Sequence, residues 1–85
     1  MKLVEIYTTP YCPYCIAAKR LLAKKDVPFK ETDVSRDPDL RAAMTKRAGG
    51  GRTVPQIFIG GKHVGGSDDL HALEHRGALD PLLAD

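Results

Sequence analysis

Cys12-Pro13-Tyr14-Cys15 is the stretch on which the reading of this 85-residue chain turns. It holds the only two cysteines. An apolar run, Leu3 to Tyr7, precedes it, and a helix-like run, Ile16 to Lys25, follows. A Cys-x-x-Cys at a strand-to-helix junction within a βαβ pattern reads as a dithiol redox motif. The placement matters because the thiolate is the nucleophile in disulfide exchange. A free thiol with a pKa near ~8.5 is only a few per cent thiolate at neutral pH. At a helix start, unpaired N–H groups and the positive dipole end face the sulfur, and such surroundings can lower thiol pKa values to roughly 3.5–7.5. Cys12 falls about where the helix begins. Cys15 lies one turn in, where the helix covers it more. Cys12 is therefore expected to attack and Cys15 to resolve. Pro13 suits the first helical position, which tolerates a missing N–H.

Blander readings exist. A structural disulfide is one, but closing a four-residue loop yields only ~2 kcal/mol in the chain-entropy model. Two inert cysteines are another. A zinc site is a third, because His71 and His75 are spaced to share a helix face. Zinc-finger spacing, however, puts the histidine pair about 12–15 residues after the cysteines. Here residues 16–70 intervene.

Eighty-five residues make one domain, 1–85, long enough for a small core without staples. Charged residues at 28% and hydrophobic residues at 42% are ordinary for a soluble globular protein. A net charge of +2 says little about partners. Basic residues are spread from Lys2 to Arg76 with no block or aromatic ladder, so nucleic-acid binding has little support. No apolar run approaches membrane-spanning length, and Met1 to Glu5 offers no signal-peptide core. Two cysteines in a redox motif and no others suit a reducing compartment, so a cytoplasmic location is expected.

The rest of the chain is read outward from the motif. Leu3 to Tyr7 is a buried strand, and Thr8 to Tyr11 a loop. A helix is expected from about Pro13 to Lys25, with Cys15, Ala18 and Leu22 on its inner face. Phe29 to Val34 is a short, polar, off-centre strand, which completes a right-handed βαβ unit. Asp37-Pro38 starts a helix, as cap and first residue, and Gly49-Gly50-Gly51 ends it. Ile57-Phe58-Ile59 is a fully apolar strand. Gly60-Gly61 is a hairpin turn and His63-Val64 the returning strand. Ser67-Asp68-Asp69 is a capping cluster for a helix carrying Leu70 and Leu73, closed by Gly77. Asp80-Pro81 begins a last turn whose Leu82 and Leu83 pack back on the core. The order β-α-β-α-β-β-α fits an α/β protein with a four-stranded mixed sheet flanked by helices.

On these residues the chain resembles a glutaredoxin of the dithiol class, in the thioredoxin superfamily. Four features carry the resemblance, in matching order over nearly the whole length. They are Cys12-Pro13-Tyr14-Cys15, Thr53-Val54-Pro55 before the hairpin, Gly65-Gly66 after it, and Ser67-Asp68-Asp69 at the next helix. The resemblance implies a thioredoxin fold, a cis Val54–Pro55 bond, and glutathione as cosubstrate with no metal. Only ~5–6% of X–Pro bonds are otherwise cis.

The resemblance also implies a glutathione site. Thr53 and Val54 match the pair that offers backbone groups to the glutathione cysteine, a small β-augmentation beside Pro55. Gly66, Ser67 and Asp68 match the segment receiving the γ-glutamyl end. Helix amides suit its carboxylate, and the Asp68 carboxylate suits its ammonium. Tyr14 matches the aromatic that packs beside glutathione. Arg41 matches a helix position that reaches the glycine carboxylate, where a guanidinium can bind bidentately. Arg52 can serve similarly. The blander readings stay open: a strand-entry proline, a plain helix cap at residues 67–69, a tyrosine covering the first helix, and a solvated Arg41. Asp69 is read as structural.

Two departures stand out. Thr8 occupies the position where many members carry a lysine that supports the thiolate, leaving Arg41, Arg52 or Lys19 to supply charge. Ser67 stands where some members have another cysteine, which confines thiol chemistry to Cys12 and Cys15. The expected activity is glutathione-dependent reduction of protein–glutathione mixed disulfides and protein disulfides, with ribonucleotide reductase a family example of a partner, by a monomer. The alternative is a carrier of a [2Fe-2S] cluster bridged between two chains by Cys12 and glutathione, which Pro13 disfavours in the family.

Overall fold

The computed structural model describes residues 1–85. The elements are β1 (Val4–Thr8), α1 (Pro13–Lys24), β2 (Lys30–Asp33), α2 (Pro38–Arg47), β3 (Gln56–Ile59), β4 (Lys62–Gly65), α3 (Ser67–His75) and α4 (Leu79–Leu83). The sheet runs β2-β1-β3-β4. β1 is parallel to β2 and antiparallel to β3, and β3 is antiparallel to β4. This is the mixed sheet flanked by helices that the element order implied.

The strand pattern sorts the residues into two faces. In β1, Val4, Ile6 and Thr8 are buried, while Glu5 and Tyr7 alternate with them. Val4 lies opposite Ile59 and Ile6 opposite Ile57, so these four share one face. Ala18 and Leu22 of α1, Leu70 of α3, and Leu79 and Leu83 of α4 cover it, forming the main core with Val27. The other face carries Glu5, Tyr7, Gln56, Phe58 and His63. α2 covers this face through Arg47. The guanidinium donates to both Glu5 carboxylate oxygens at 3.0 and 2.8 Å, and lies 4.0 Å from the Phe58 ring centroid. Tyr7 meets the same ring edge-on at 5.9 Å.

Local signals explain most boundaries. Asp37 caps α2, its Oδ1 accepting from the Asp39 and Leu40 N–H groups at 3.0 and 3.1 Å. β2 is exposed along most of its length, as its polar sequence requires, and it sits at the sheet edge. It covers only Lys30–Asp33, because Phe29 and Val34 lie outside the ladder with β1. β3 and β4 each extend beyond their apolar centres, to Gln56 and to Lys62 and Gly65.

Two helix starts differ from the sequence expectation. α4 begins at Leu79, before Asp80-Pro81, because burial of Leu79 against the core extends the helix backward. The cap of α3 is Gly66, not the serine–aspartate cluster. Asp69 Oδ2 accepts from the Gly66 N–H at 3.0 Å, so the side chain reaches back from inside the helix. A Cβ on Gly65, whose φ is 121°, would run into that carboxylate.

The Arg47 anchor makes a testable contribution. Arg47 lowers the Glu5 carboxyl below its ordinary value, chiefly by its hydrogen bonds. A carboxylate lowered in the folded state stabilises above its unfolded pKa, and that stability is lost as pH falls through the folded value. Arg47→Ala should therefore destabilise by about 1 kcal/mol at pH 7, the partly exposed pair and the aromatic contact together. Urea unfolding should show this difference shrinking below about pH 4.5.

Candidate active site

The site forms where four segments meet at one end of the sheet. β1 delivers the chain to the loop before Cys12. Cys12 then takes the N-cap of α1 in extended conformation, with Pro13 at the first helical position. A helix start leaves N–H groups without partners. Here Cys12 Sγ accepts from the Cys15 N–H at 3.1 Å, the duty an aspartate or serine oxygen would otherwise perform. Across from it, Val54 offers its carbonyl oxygen 3.8 Å from the same sulfur. The Val54–Pro55 peptide bond is cis.

The two thiols are chemically unequal. Both are free, Cys12 half-buried and Cys15 buried. Burial, first of all, pushes the Cys15 thiol up to about 11, and the neighbouring Cys12 sulfur adds to the rise. A backbone hydrogen bond from Thr9 and the charge of Lys19 act weakly the other way.

Val54, which faces Cys12, also lines a cavity of about 500 Å³, together with Tyr14, Thr53, Pro55, Gly66, Ser67 and Asp68 among others; neither cysteine lines it. Its size suits a small ligand. Seven of the eight residues expected around glutathione thus come together here. Arg41 does not. It lines a neighbouring cavity of about 730 Å³ with Arg52, where its guanidinium donates to the Arg52 carbonyl at 2.8 Å. Asp68 is exposed, while Ser67 is buried at the first turn of α3. Thr8 is buried and its hydroxyl donates to Glu31 at 2.7 Å. Lys19 pairs with the same carboxylate at 3.0 Å. One chain brings no three metal-ligating side chains together.

Sequence reasoning missed Gln56 and His63, which also line the smaller cavity. Buried Gln56 donates from Nε2 to the Thr53 carbonyl at 2.9 Å. Because that carbonyl only accepts, Oε1 faces His63, and His63 Nε2 must carry the proton of their 2.7 Å hydrogen bond. The signal was a lone glutamine between Pro55 and a wholly apolar strand.

A thiol that caps a helix, beside a second thiol held protonated by burial, can open a disulfide and then close one. On a four-stranded mixed sheet, with the carbonyl that precedes a cis proline facing the sulfur, that chemistry defines the thiol–disulfide oxidoreductases of the thioredoxin superfamily.

Comparison with known proteins narrows the class. The glutaredoxin family profile matches residues 4–64. A glutaredoxin of Pseudomonas aeruginosa is 58% identical over 81 residues, 95% of each chain. The solution structure of glutaredoxin from Brucella melitensis is similar with a TM-score of 0.85 at 59% identity, over 98% of this chain and 89% of that one. The crystal structure of a buckwheat glutaredoxin–glutathione complex gives 0.87 at 32% identity, over 96% and 76%. The chain belongs to the glutaredoxin family.

Two outcomes check this geometry. Iodoacetamide at pH 7.5 should alkylate Cys12 and leave Cys15 unmodified until the protein unfolds, as peptide mass spectrometry would reveal. Gln56→Ala leaves the Thr53 carbonyl and His63 without their shared partner, and should lower stability by about 1–3 kcal/mol in urea.

Proposed function

We propose that this protein is a glutathione-dependent thiol–disulfide oxidoreductase that reduces protein–glutathione mixed disulfides and protein disulfides. The observation that carries the reading is the cavity beside Cys12, where Val54, the α3 start and Asp68 face one small-ligand volume. The cysteine and the γ-glutamyl end of glutathione have chemical matches among these groups. Thr53 and Val54, with Pro55, flank its cysteine as an added strand. The N–H groups of the first turn of α3, at Ser67 and Asp68, suit the γ-glutamyl carboxylate, and the Asp68 side chain suits the ammonium. Tyr14 packs along the tripeptide. Arg41 would reach the glycine carboxylate by leaving the Arg52 carbonyl.

The reaction runs in balanced exchanges. Cys12 thiolate attacks the glutathione sulfur of a mixed disulfide, the substrate sulfur leaves as thiolate, and a Cys12–glutathione disulfide forms. A second glutathione thiolate attacks that disulfide, giving oxidised glutathione and free Cys12. With a protein disulfide, Cys12 joins one substrate sulfur and releases the other. Cys15 then loses its proton, attacks Cys12 and expels the substrate thiolate. Two glutathiones reduce the resulting Cys12–Cys15 bond. The high Cys15 pKa is useful in this order. The contribution of the Cys12 sulfur to it vanishes once that sulfur is in a mixed disulfide, so Cys15 becomes more acidic when its turn comes.

A lone redox dithiol suits a reducing compartment, and we assign the protein to the cytoplasm, as a single-domain monomer acting on protein partners of the ribonucleotide reductase kind. A glutathione-ligated [2Fe-2S] carrier is the rival reading. It would need ligands from two chains, and anaerobically purified protein would then be brown and dimeric.

The test is NADPH consumption coupled through glutathione reductase, with a glutathionylated peptide as substrate. Cys12→Ser should fall below about one thousandth of native activity. Cys15→Ser should keep activity on the peptide and lose it on a protein disulfide. Asp68→Asn should raise the KM for glutathione about tenfold with kcat little changed. A native chain inactive with glutathione yet active with dithiothreitol would overturn the glutathione assignment.

A further inference from the structure

Gly51, Gln56 and His63 line the cavity but take no part in the exchange chemistry. Together they grip one peptide group. Gln56 Nε2 donates to the Thr53 carbonyl at 2.9 Å and approaches the Thr53 hydroxyl at 3.4 Å. Its Oε1 accepts from His63 Nε2 at 2.7 Å, so both ends of this buried amide are engaged within the chain. His63 is held in turn by register. It lies opposite Phe58, and the two rings sit 5.0 Å apart. Gly51 supplies the room. A Cβ there would come within 2.9 Å of Gln56 Nε2 and 3.2 Å of Gln56 Cδ, closer than such atoms pack. The Gly51 backbone is not left-handed, so the neighbouring amide, not the backbone, is what calls for glycine.

The gripped peptide is the one that leads into Val54. The Thr53 C=O and the Val54 N–H belong to one planar trans unit and point in opposite directions. Holding the carbonyl on Gln56 therefore turns the Val54 N–H away from Gln56. No backbone group accepts that N–H. The residue before a proline favours extended backbone, in which its own N–H and C=O face one side. The Val54 carbonyl faces Cys12 Sγ at 3.8 Å. The free N–H thus belongs to the side from which a disulfide partner reaches that sulfur.

We propose that Gln56, braced by His63 and given room by Gly51, is a positioning residue that aims the Val54 N–H, and so makes Cys12 select thiols that carry backbone amides beside their sulfur. The ligand class rests on the glutathione reading, since glutathione has an amide on each side of its cysteine. A thiol without amides gains nothing from an aimed N–H, and that difference separates positioning from plain stability.

The test uses the Cys15→Ser chain, in which Cys12 is equilibrated as a mixed disulfide with pairs of thiols. These are glutathione, N-acetylcysteine N-methylamide and 2-mercaptoethanol. In each exchange the incoming thiolate attacks the Cys12 sulfur and the bound thiol leaves as thiolate, so one disulfide replaces another. Intact mass spectrometry reads the ratio, and the same chain in concentrated urea corrects for the thiols' own differences. The folded chain should prefer the capped cysteine over 2-mercaptoethanol about tenfold. Gln56→Leu and Gly51→Ala should each cut that preference below about threefold. His63→Phe, which keeps a ring against Phe58 but loses the donor, should cut it about twofold. One sulfur makes every disulfide, so a change in its reactivity, or in the stability of a chain still folded by circular dichroism, leaves the ratio unmoved. An unmoved preference in folded Gln56→Leu would overturn the positioning role, as would one in Gly51→Ala where the leucine variant does not fold. No preference with the loop unsubstituted would overturn it as well. Glutathione bound no better than the capped cysteine, with the capped cysteine still preferred, indicts the glutathione reading and leaves the positioning role standing.

Discussion

A helix start needs partners for its free N–H groups, and in this protein a sulfur is one of them. Cys12 Sγ accepts from the Cys15 N–H at 3.1 Å. The reactive atom is thereby fixed by the same bond that helps begin α1. An oxygen cap would serve the helix as well or better, so the choice of sulfur is a choice of chemistry. The cap also sets the relation between the two thiols. A residue three positions beyond an N-cap is inside the helix and turned toward the core, and Cys15 is accordingly buried with Ala18 and Leu22. One thiol is accessible and one is withheld because a single turn of helix separates them.

Sheet register does the remaining assembly. β1 pairs antiparallel with β3 so that Tyr7 lies opposite Gln56. The loop leaving β1 and the loop entering β3 must therefore lie at the same sheet end. The first carries Cys12 and the second carries Val54, and the 3.8 Å approach of sulfur to carbonyl is the result. Ile57 pairs with Gly65 of β4, which brings the start of α3 to that end as well. The partners of the Cys12 sulfur come from positions as much as 42 residues apart, yet hydrogen-bond pairing leaves them little freedom. Gln56 adds a local fastening, since its amide holds the Thr53 carbonyl and so shapes the turn that presents Val54.

This division explains what could be read from the chain. Cys12, Pro13 and Asp37-Pro38 act on neighbours a few residues away, and their roles follow from helix-end chemistry alone. Thr53, Val54, Pro55 and the segment from Gly66 to Asp68 were expected through family resemblance alone, and these six residues share a cavity with Tyr14 because register gathers them. Arg41 was placed by analogy with a helix position, but in this fold its guanidinium is engaged by the Arg52 carbonyl. Arg47 and Glu5 escaped notice because nothing local links residues 42 positions apart. Their meeting depends on α2 lying across the Glu5–Phe58 face. The caps of α3 and α4 were misjudged for related reasons. Asp69 caps backward from within the helix, and Leu79 joins α4 because the core takes its side chain.

Thr8 shows how a departure from a family pattern can be absorbed. Where many members place a lysine, this chain has a buried hydroxyl that donates to Glu31. Glu31 in turn holds Lys19, and both bonds keep its carboxyl below the ordinary value. The net effect around the sulfurs is a cation matched by a carboxylate rather than a free positive charge. The fixed polar partner of the Cys12 sulfur on its own helix is then a backbone group, the Cys15 N–H at 3.1 Å. Unlike a lysine side chain, that group is part of the backbone, and its position is set by the same turn of helix that places Cys15.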